Sequence, residues 1–427
     1  MSRTRLNAVA AIERGLSSNF SPWRMVVGLG FVSLTADMVA DGGKSLYGPL
    51  LASLGASGLL VGLVTGASET ASLVLRLVAG PLADRDGNHW RWTITGYGMT
   101  AACIPLLAIA PFAGAAGLAL ASGLIILERV GKAVRSPSKT ALLAHAAGAV
   151  GRGRGFGVHK SLDLFGAFSG PLLAAAVLAL GGGLWLALLV LVVPGVASMM
   201  LLGWLHARVP DPSVYDPQSP ARTGVPHPRV EGSWWSRALG RDLSGVFFVY
   251  AAAVALTTGG LVSYGIISYH FVQRGLIGLP VIPVVFAGAM AAAAVAALVT
   301  GWLYDRIGSR VLLGLPVLVA VVPPLTLDGH VAWALLGMGV WGFASGLQDS
   351  TIKALVADLV PAARRATAYG VFAAIQGIAA LGGGAVIGAL YDVSLAWLSV
   401  LIAVSQFVAF VLLVGVLRAR RGTAARP

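Results

Sequence analysis

The chain is poor in charge. Only 11% of its 427 residues are Asp, Glu, Lys or Arg, less than half of the roughly 25% that a water-soluble domain carries. It has a single cysteine, Cys103, so no internal disulfide can form; inside an apolar run, this thiol reads as a small core residue. Catalytic signatures are also lacking. There is no G-x-S-x-G, no H-E-x-x-H and no paired-cysteine spacing for a metal, and the seven histidines are scattered singly. The sequence therefore points to no enzyme, no cofactor and no metal site. "DGGKS" (41–45) ends like a phosphate-binding loop, but the first glycine of that loop would fall on Met38 and no strand precedes it. The chain is not expected to consume ATP itself. No short apolar core with a cleavage site follows Arg3, Arg5 and Arg14; the first apolar run begins near Met25 and is too long for a signal peptide.

What is abundant is apolar surface: 57% of the residues are hydrophobic and the mean hydropathy is +0.83. A membrane-spanning helix needs about 20 mostly apolar residues. Twelve runs qualify, near 25–53, 58–80, 92–113, 115–136, 156–180, 183–206, 243–271, 280–303, 311–327, 331–355, 366–390 and 394–417. The expected fold class is an all-α integral membrane protein. It divides into a cytoplasmic segment (1–24), a six-helix bundle (25–206), a linker (207–242), a second six-helix bundle (243–417) and a basic tail (418–427). The linker is proline-rich and net basic; its end, "WWSRALGRD" (234–242), suits an interfacial segment.

The excess of 30 Lys and Arg over 17 Asp and Glu suggests basic loops rather than a nucleic-acid partner. With a cytoplasmic N-terminus, the tails and even-numbered loops hold 22 of the 30 basic residues and the opposite loops hold Arg274 alone. The positive-inside rule then places both termini in the cytoplasm, in an inner membrane. The expected partners are the lipid bilayer and a small-molecule substrate, with protons as coupling ions, for a protein acting as a monomer.

The chain repeats itself. "GPLADRDGNHWR" (80–91) follows the second helix and "GWLYDRIGSR" (301–310) the eighth; both read G-x-x-x-D-R-x-G, 221 residues apart. "RGRGFGVHK" (152–160) and "RRATAYGVF" (364–372) form a second pair, before helices five and eleven. Corresponding loops in two six-helix halves imply duplication. With the twelve helices and the long central loop, these motifs resemble the major facilitator superfamily over essentially the whole chain. "LTADMVAD" (34–41), "SETASLVLR" (68–76) and "RGRGFG" (152–157) resemble a narrower prokaryotic subgroup, with Asp41 where that subgroup has Glu and one residue of offset after Thr35. The resemblance implies a transporter working by alternating access.

It also implies roles. Gly80, Asp84, Arg85 and Gly87, with Gly301, Asp305, Arg306, Gly308 and Arg310, match the loops that latch the superfamily's outward-open state. Here Asn88 and His89 stand where further basic residues are usual. Gly157, Gly166, Gly170 and Pro171 match most of the helix-five motif associated with export, although its last glycine pair is Ala174-Ala175 here. Small residues let helices approach closely and proline bends the helix.

The decisive stretch is "SLTADMVADGGKSLYGP" (33–49). Asp37, Asp41 and Lys44 lie at i, i+4 and i+7, on one helical face. Each charge at a membrane helix centre costs about 2.5–3.5 kcal/mol on insertion scales, so this face is expected to line the bundle interior or a water-filled cavity. Glu69 and Arg76 in helix two, Glu128, Arg129, Lys132 and Arg135 in helix four, His159, Lys160 and Asp163 in helix five, and Asp349 and Lys353 in helix ten add further charges. Asp37, Asp41, Glu69 and Glu128 are the candidate proton-coupling carboxylates, since neighbouring acids titrate as a set. Lys44, Arg76, Arg129, Lys132, Asp163 and Asp349 are candidate cavity residues, joined by Tyr264, Tyr269 and Gln376 as candidate aromatic and polar contacts. "TTGGLVSYGIISYH" (257–270) carries glycines suited to bending helix seven, and His270 is expected near the outer end as an interface residue.

Three functions fit: proton-coupled export of a small molecule, proton symport of an anionic or zwitterionic solute, or a membrane sensor or scaffold that transports nothing. The helix-five motif favours the first, and the paired loops disfavour the last.

Overall fold

A computed structural model describes residues 20–215, 243–360 and 364–424. The segment 1–19, most of the linker including "WWSRALGRD", the end of the tail and the Lys353 side chain lie outside the described residues. Within lipid every backbone N–H and C=O must be satisfied internally, and among the described residues the chain meets this entirely with helices.

The first half contains α1 (Pro22–Lys44), α2 (Tyr47–Ser53), α3 (Gly58–Val74), α4 (Arg76–Asp86), α5 (His89–Leu106), α6 (Gly117–Val150), α7 (Arg152–Ala179), α8 (Leu184–Leu189) and α9 (Val192–Arg208). The second contains α10 (Gly245–Gly260), α11 (Tyr264–Gln273), α12 (Val281–Ile307), α13 (Gly314–Thr326), α14 (Val331–Leu359), α15 (Arg365–Val393) and α16 (Leu395–Ala424). Several starts are capped by serine: Ser21, Ser57, Ser244 and Ser263 each accept from the backbone N–H three residues on.

Eleven continuous stretches are long and apolar enough to cross a membrane. One of them, Val281–Thr326, has 46 residues, about twice what a bilayer core needs. It folds back on itself: α12 ends at Gly308, where φ is +65°, and a 3-10 turn (Gly308–Leu313) leads into α13. The described residues thus make twelve helical passes, six in each half. The fourth pass is longer than its apolar run, because α6 continues to Val150 and takes Pro137 in its stride. As a result "RGRGFG" forms the first turns of α7 rather than a loop before it.

Small residues set the helix spacing. In the first half α1 lies along α7, with Gly166 and Gly170 against the backbone of Leu34 and Met38. Between the halves α3 lies along α15, where Gly58, Gly62 and Gly66 meet Gly388, Gly384 and Ala380. A second seam joins α7 and α12. A Cβ on Gly62 or Gly384 would strike the carbonyl oxygen of the other. Such contacts bring backbones together where apolar burial gives no drive for association within lipid.

Candidate functional site

The charged stretch sits at a break. α1 stops at Lys44, Ser45 and Leu46 form a turn, and α2 restarts at Tyr47. The Ser45 hydroxyl donates to Gly42 O at 2.6 Å. Lys44, at the end of α1, sits where a helix dipole favours a cation, worth about 0.3–1 kcal/mol. The seventh pass breaks correspondingly: α10 ends at Gly260 and α11 begins at Tyr264, as the glycines suggest. Such breaks free backbone groups and create a bend where two halves can move.

From this break a ladder of polar contacts runs through the first half. Lys44 Nζ lies 3.3 Å from Glu69 on α3. Glu69 is 3.8 Å from Arg129 on α6, and Arg129 Nε is 3.4 Å from Glu128. Thr100 on α5 donates to Glu128 and accepts from Arg135 at 2.8 Å. Arg135 then reaches Asp37 at 3.3 Å, with its guanidinium over the Tyr97 ring at 4.4 Å. Tyr97 and His159 both hydrogen-bond the Ser33 hydroxyl, to which Lys139 donates at 3.1 Å. Lys139 and His159 finally meet Asp163 at 3.7 and 3.5 Å. Glu128, Arg129, Arg135 and His159 are all buried.

The ladder lines an internal space. Glu69 lies between Lys44 and Arg129, yet 41% of its side-chain surface is accessible; a carboxylate is too costly to show to lipid, so this surface opens to the inside. In the second half Gln348 and Gln376 both donate to Thr258 at 3.3 Å, and Asp349, next to Gln348, is exposed. The Tyr47 hydroxyl, beside Glu128 and Arg129, has no hydrogen-bond partner among the described residues, nor have Nε and Nη2 of Arg129. The Arg129–Glu128 approach is therefore a charge pair without hydrogen-bond alignment.

One end of this space is sealed. The Asp392 carboxylate, at the end of α15, accepts from the N–H groups of Gly58 and Leu59 at 3.0 Å each, capping α3 of the other half. Tyr269 donates to Ala56 O at 2.8 Å, and Ser263 bonds Thr65 at 3.0 Å. α2 and α11 close over the break, with Gly48 against Gly265 and Ser268. His270 is buried here beside Tyr391.

Several expectations need correction. Tyr264 is no cavity residue: it is fully buried, donates to Ile282 O and packs on Phe286 and Trp341. Tyr269 belongs to the seal. Most of both G-x-x-x-D-R-x-G motifs is helical, since α4 runs through Asp86 and α12 through Ile307; only Gly87 and Gly308, at φ +67° and +65°, make the turns. Gly80 has only Pro137 nearby, and nothing approaches Gly301. Asp84 and Asp305 are exposed and, among the described residues, cap no helix start, while Arg306 stacks on Trp302. The carboxylate that caps a helix across the halves is Asp392, which the sequence reading passed over. Within the helix-five motif, Gly166, Gly170 and Pro171 are buried but Gly157 meets nothing.

The sequence reading also missed Lys139, Thr100 and Tyr97. Lys139 follows Arg135 by four residues, so the helical stripe itself carried the signal; it was lost by ending the fourth helix near 136 instead of 150.

Twelve helical passes in two halves, parted by a polar, charge-lined space that is sealed at one end, define a multi-pass membrane transporter fold. The profile of the Major Facilitator Superfamily matches residues 29–322 and 275–427. Uncharacterised proteins of Mycobacterium tuberculosis and Mycobacterium bovis are 46% identical over 409 residues, covering 96% of this chain and 95% of theirs. An uncharacterised MFS-type transporter of Methanocaldococcus jannaschii is 24% identical over 389 residues, 90% of each chain. A solved nucleoside transporter superposes with a TM-score of 0.74 at 13% identity, over 92% of this chain and 99% of that one. A peptide transporter in complex with sulfate gives 0.71 at 15%, over 93% and 94%. The chain belongs to the Major Facilitator Superfamily.

Proposed function

We propose that this superfamily member is a secondary active transporter that exports a small molecule across the cytoplasmic membrane in exchange for protons, with both termini in the cytoplasm. The observation that carries this reading is the ladder. It holds Asp37, Glu69 and Glu128 against basic partners in one half, and Glu69 opens to the internal space. Protonating any of these carboxylates releases its cation, so proton occupancy and the contacts of α1, α3 and α6 are linked. Asp41, one turn from Asp37, adds a carboxylate with no ion pair within 4 Å among the described residues. Alternating access is supported by the breaks in passes one and seven and by the seal around Asp392. The small residues of the helix-five motif, packed on α1, favour export.

The competing reading is proton symport of an anionic or zwitterionic solute. In that reading Lys44, Arg76 and Arg129 are the binding groups, and the solute competes with Glu69 for Lys44 and Arg129. Proteoliposomes enclosing a pH-sensitive dye separate the two. Solute flux accompanied by protons moving in the opposite direction supports antiport. Protons moving with the solute support symport, and solute flux without proton movement refutes both.

A further inference from the structure

Pass two begins at the seal, with Gly58, and ends at Asp86. The turn between α4 and α5 therefore lies at the opposite end of the molecule, where Trp90 packs on His206 and Phe20 on Trp204. A groove of about 550 Å³ opens there, lined by Leu82, Arg85 and Asp86 of α4, Arg91 and Trp92 of α5, and Val134 of α6. It lies on the outside of the bundle. Leu77 and Gly80 of α4 face Gly370 of α15 and Pro137 of α6. Leu82 lies on the far side of that helix and is 44% exposed, with Val78 one turn away at 45%. Apolar side chains bared on the outside of a membrane-spanning helix face lipid.

The two arginines of the groove are exposed, and neither has an acid within 4 Å among the described residues. Asp86, the acid that lines it, accepts from the Trp92 indole N–H at 3.1 Å. Two guanidinium groups against one carboxylate leave the groove with one net positive charge. Arg91 also stands in the first turn of α5, where the helix dipole opposes a cation. We infer that this groove binds an anionic phospholipid, with its phosphate between Arg85 and Arg91 and its chains against Leu82 and Val134. Guanidinium groups pair with phosphate oxygens, and basic pockets between membrane helices take anionic headgroups. The Trp92 ring suits the depth of the headgroup layer. A singly charged phosphodiester, as in phosphatidylglycerol, cancels the net charge of the groove, whereas a zwitterionic lipid does not. The assignment is independent of the transported solute and of its coupling to protons.

Thermal unfolding of the purified full-length protein in detergent tests it. The protein is titrated with phosphatidylglycerol, phosphatidylethanolamine or phosphatidylcholine of identical chains, and separately with glycerol 3-phosphate. The readout is the difference between lipids within each protein, so a variant that is less stable throughout still reports. Phosphatidylglycerol should raise the melting temperature more than phosphatidylcholine. Arg85→Gln and Arg91→Gln should each shift the midpoint of that titration about fivefold, the contribution of one basic residue at an anionic membrane surface. Asp86→Asn, which removes the acid, should shift it the other way, an outcome that loss of structure does not produce. Arg274→Gln, an exposed arginine at the sealed end, should leave the difference as it is. Equal stabilisation by phosphatidylglycerol and phosphatidylcholine overturns the inference, as does a phosphatidylglycerol effect unmoved in the Arg85→Gln, Arg91→Gln double variant. A preference for phosphatidylethanolamine also overturns it and assigns the groove to Asp86 and an ammonium headgroup. Stabilisation by glycerol 3-phosphate equal to that by phosphatidylglycerol overturns the choice of a lipid in favour of a soluble phosphate.

Discussion

Arg135 of α6 reaches Asp37 of α1 at 3.3 Å, and the same guanidinium takes the Thr100 hydroxyl at 2.8 Å and lies over the Tyr97 ring at 4.4 Å. Three helices thus converge on one cation. Removing one partner of a buried pair costs about 3–5 kcal/mol, because the other charge is stranded. Arg135→Gln should therefore lower stability by roughly that amount. Removing both charges, in Arg135→Gln with Asp37→Asn, should cost less than the sum of the single changes. Thermal unfolding of the four proteins in detergent gives the cycle; strict additivity would mean that the pair is not coupled.

The seam between α3 and α15 is set by Gly62 and Gly384. Even a methyl group on Gly62 meets a backbone carbonyl there, so Gly62→Ala should destabilise by roughly 1–3 kcal/mol, the range for overpacking. Gly301→Ala adds a methyl group with nothing within 4 Å, in a helix. It should be neutral or gain about 0.5–1 kcal/mol. Equal melting shifts for the two would refute the distinction.

Asp392 holds the sealed end shut through two backbone N–H groups. Asp392→Asn weakens this cap, because the amide offers one acceptor oxygen where the carboxylate offers two, one for each N–H. The population open at that end should rise. Ser268, fully buried between α2 and α11, reports it: a Ser268→Cys protein should react slowly with a membrane-impermeant maleimide and faster with Asp392→Asn added. Cys103 is buried and gives little background. An unchanged labelling rate would remove Asp392 from the gate.

Tyr264 serves the core. Tyr264→Phe loses one hydrogen bond to Ile282 O, about 0.5–1.5 kcal/mol, and keeps the ring contacts. Solute affinity should stay constant while the melting temperature falls; a loss of affinity without loss of stability would return Tyr264 to the binding site.

Much of this was legible in the sequence, because lipid makes the rules strict. Charges cannot face hydrocarbon, so Asp37, Lys44, Glu69, Glu128 and Arg129 had to meet inside, and the helical spacing named the faces. Periodicity says nothing about which helix from the other half faces which. Tyr264 and Tyr269 therefore looked like equals of Gln376, although they serve the core and the seal. Asp392 was hidden for a related reason: its partners are backbone N–H groups more than 330 residues away, and these leave no trace in side-chain pattern. Lys139 was lost to a misplaced helix end, the least certain feature of any run.

The central claim is that the acidic face of α1 carries the coupling proton. The most direct measurement compares two modes of transport in proteoliposomes for wild type, Asp37→Asn and Asp41→Asn. One mode is solute accumulation driven by an imposed pH gradient; the other is solute-for-solute exchange without a gradient. The account predicts that at least one variant, folded by its melting curve, loses gradient-driven accumulation and keeps exchange. Gradient-driven accumulation at wild-type rates in both variants would contradict it.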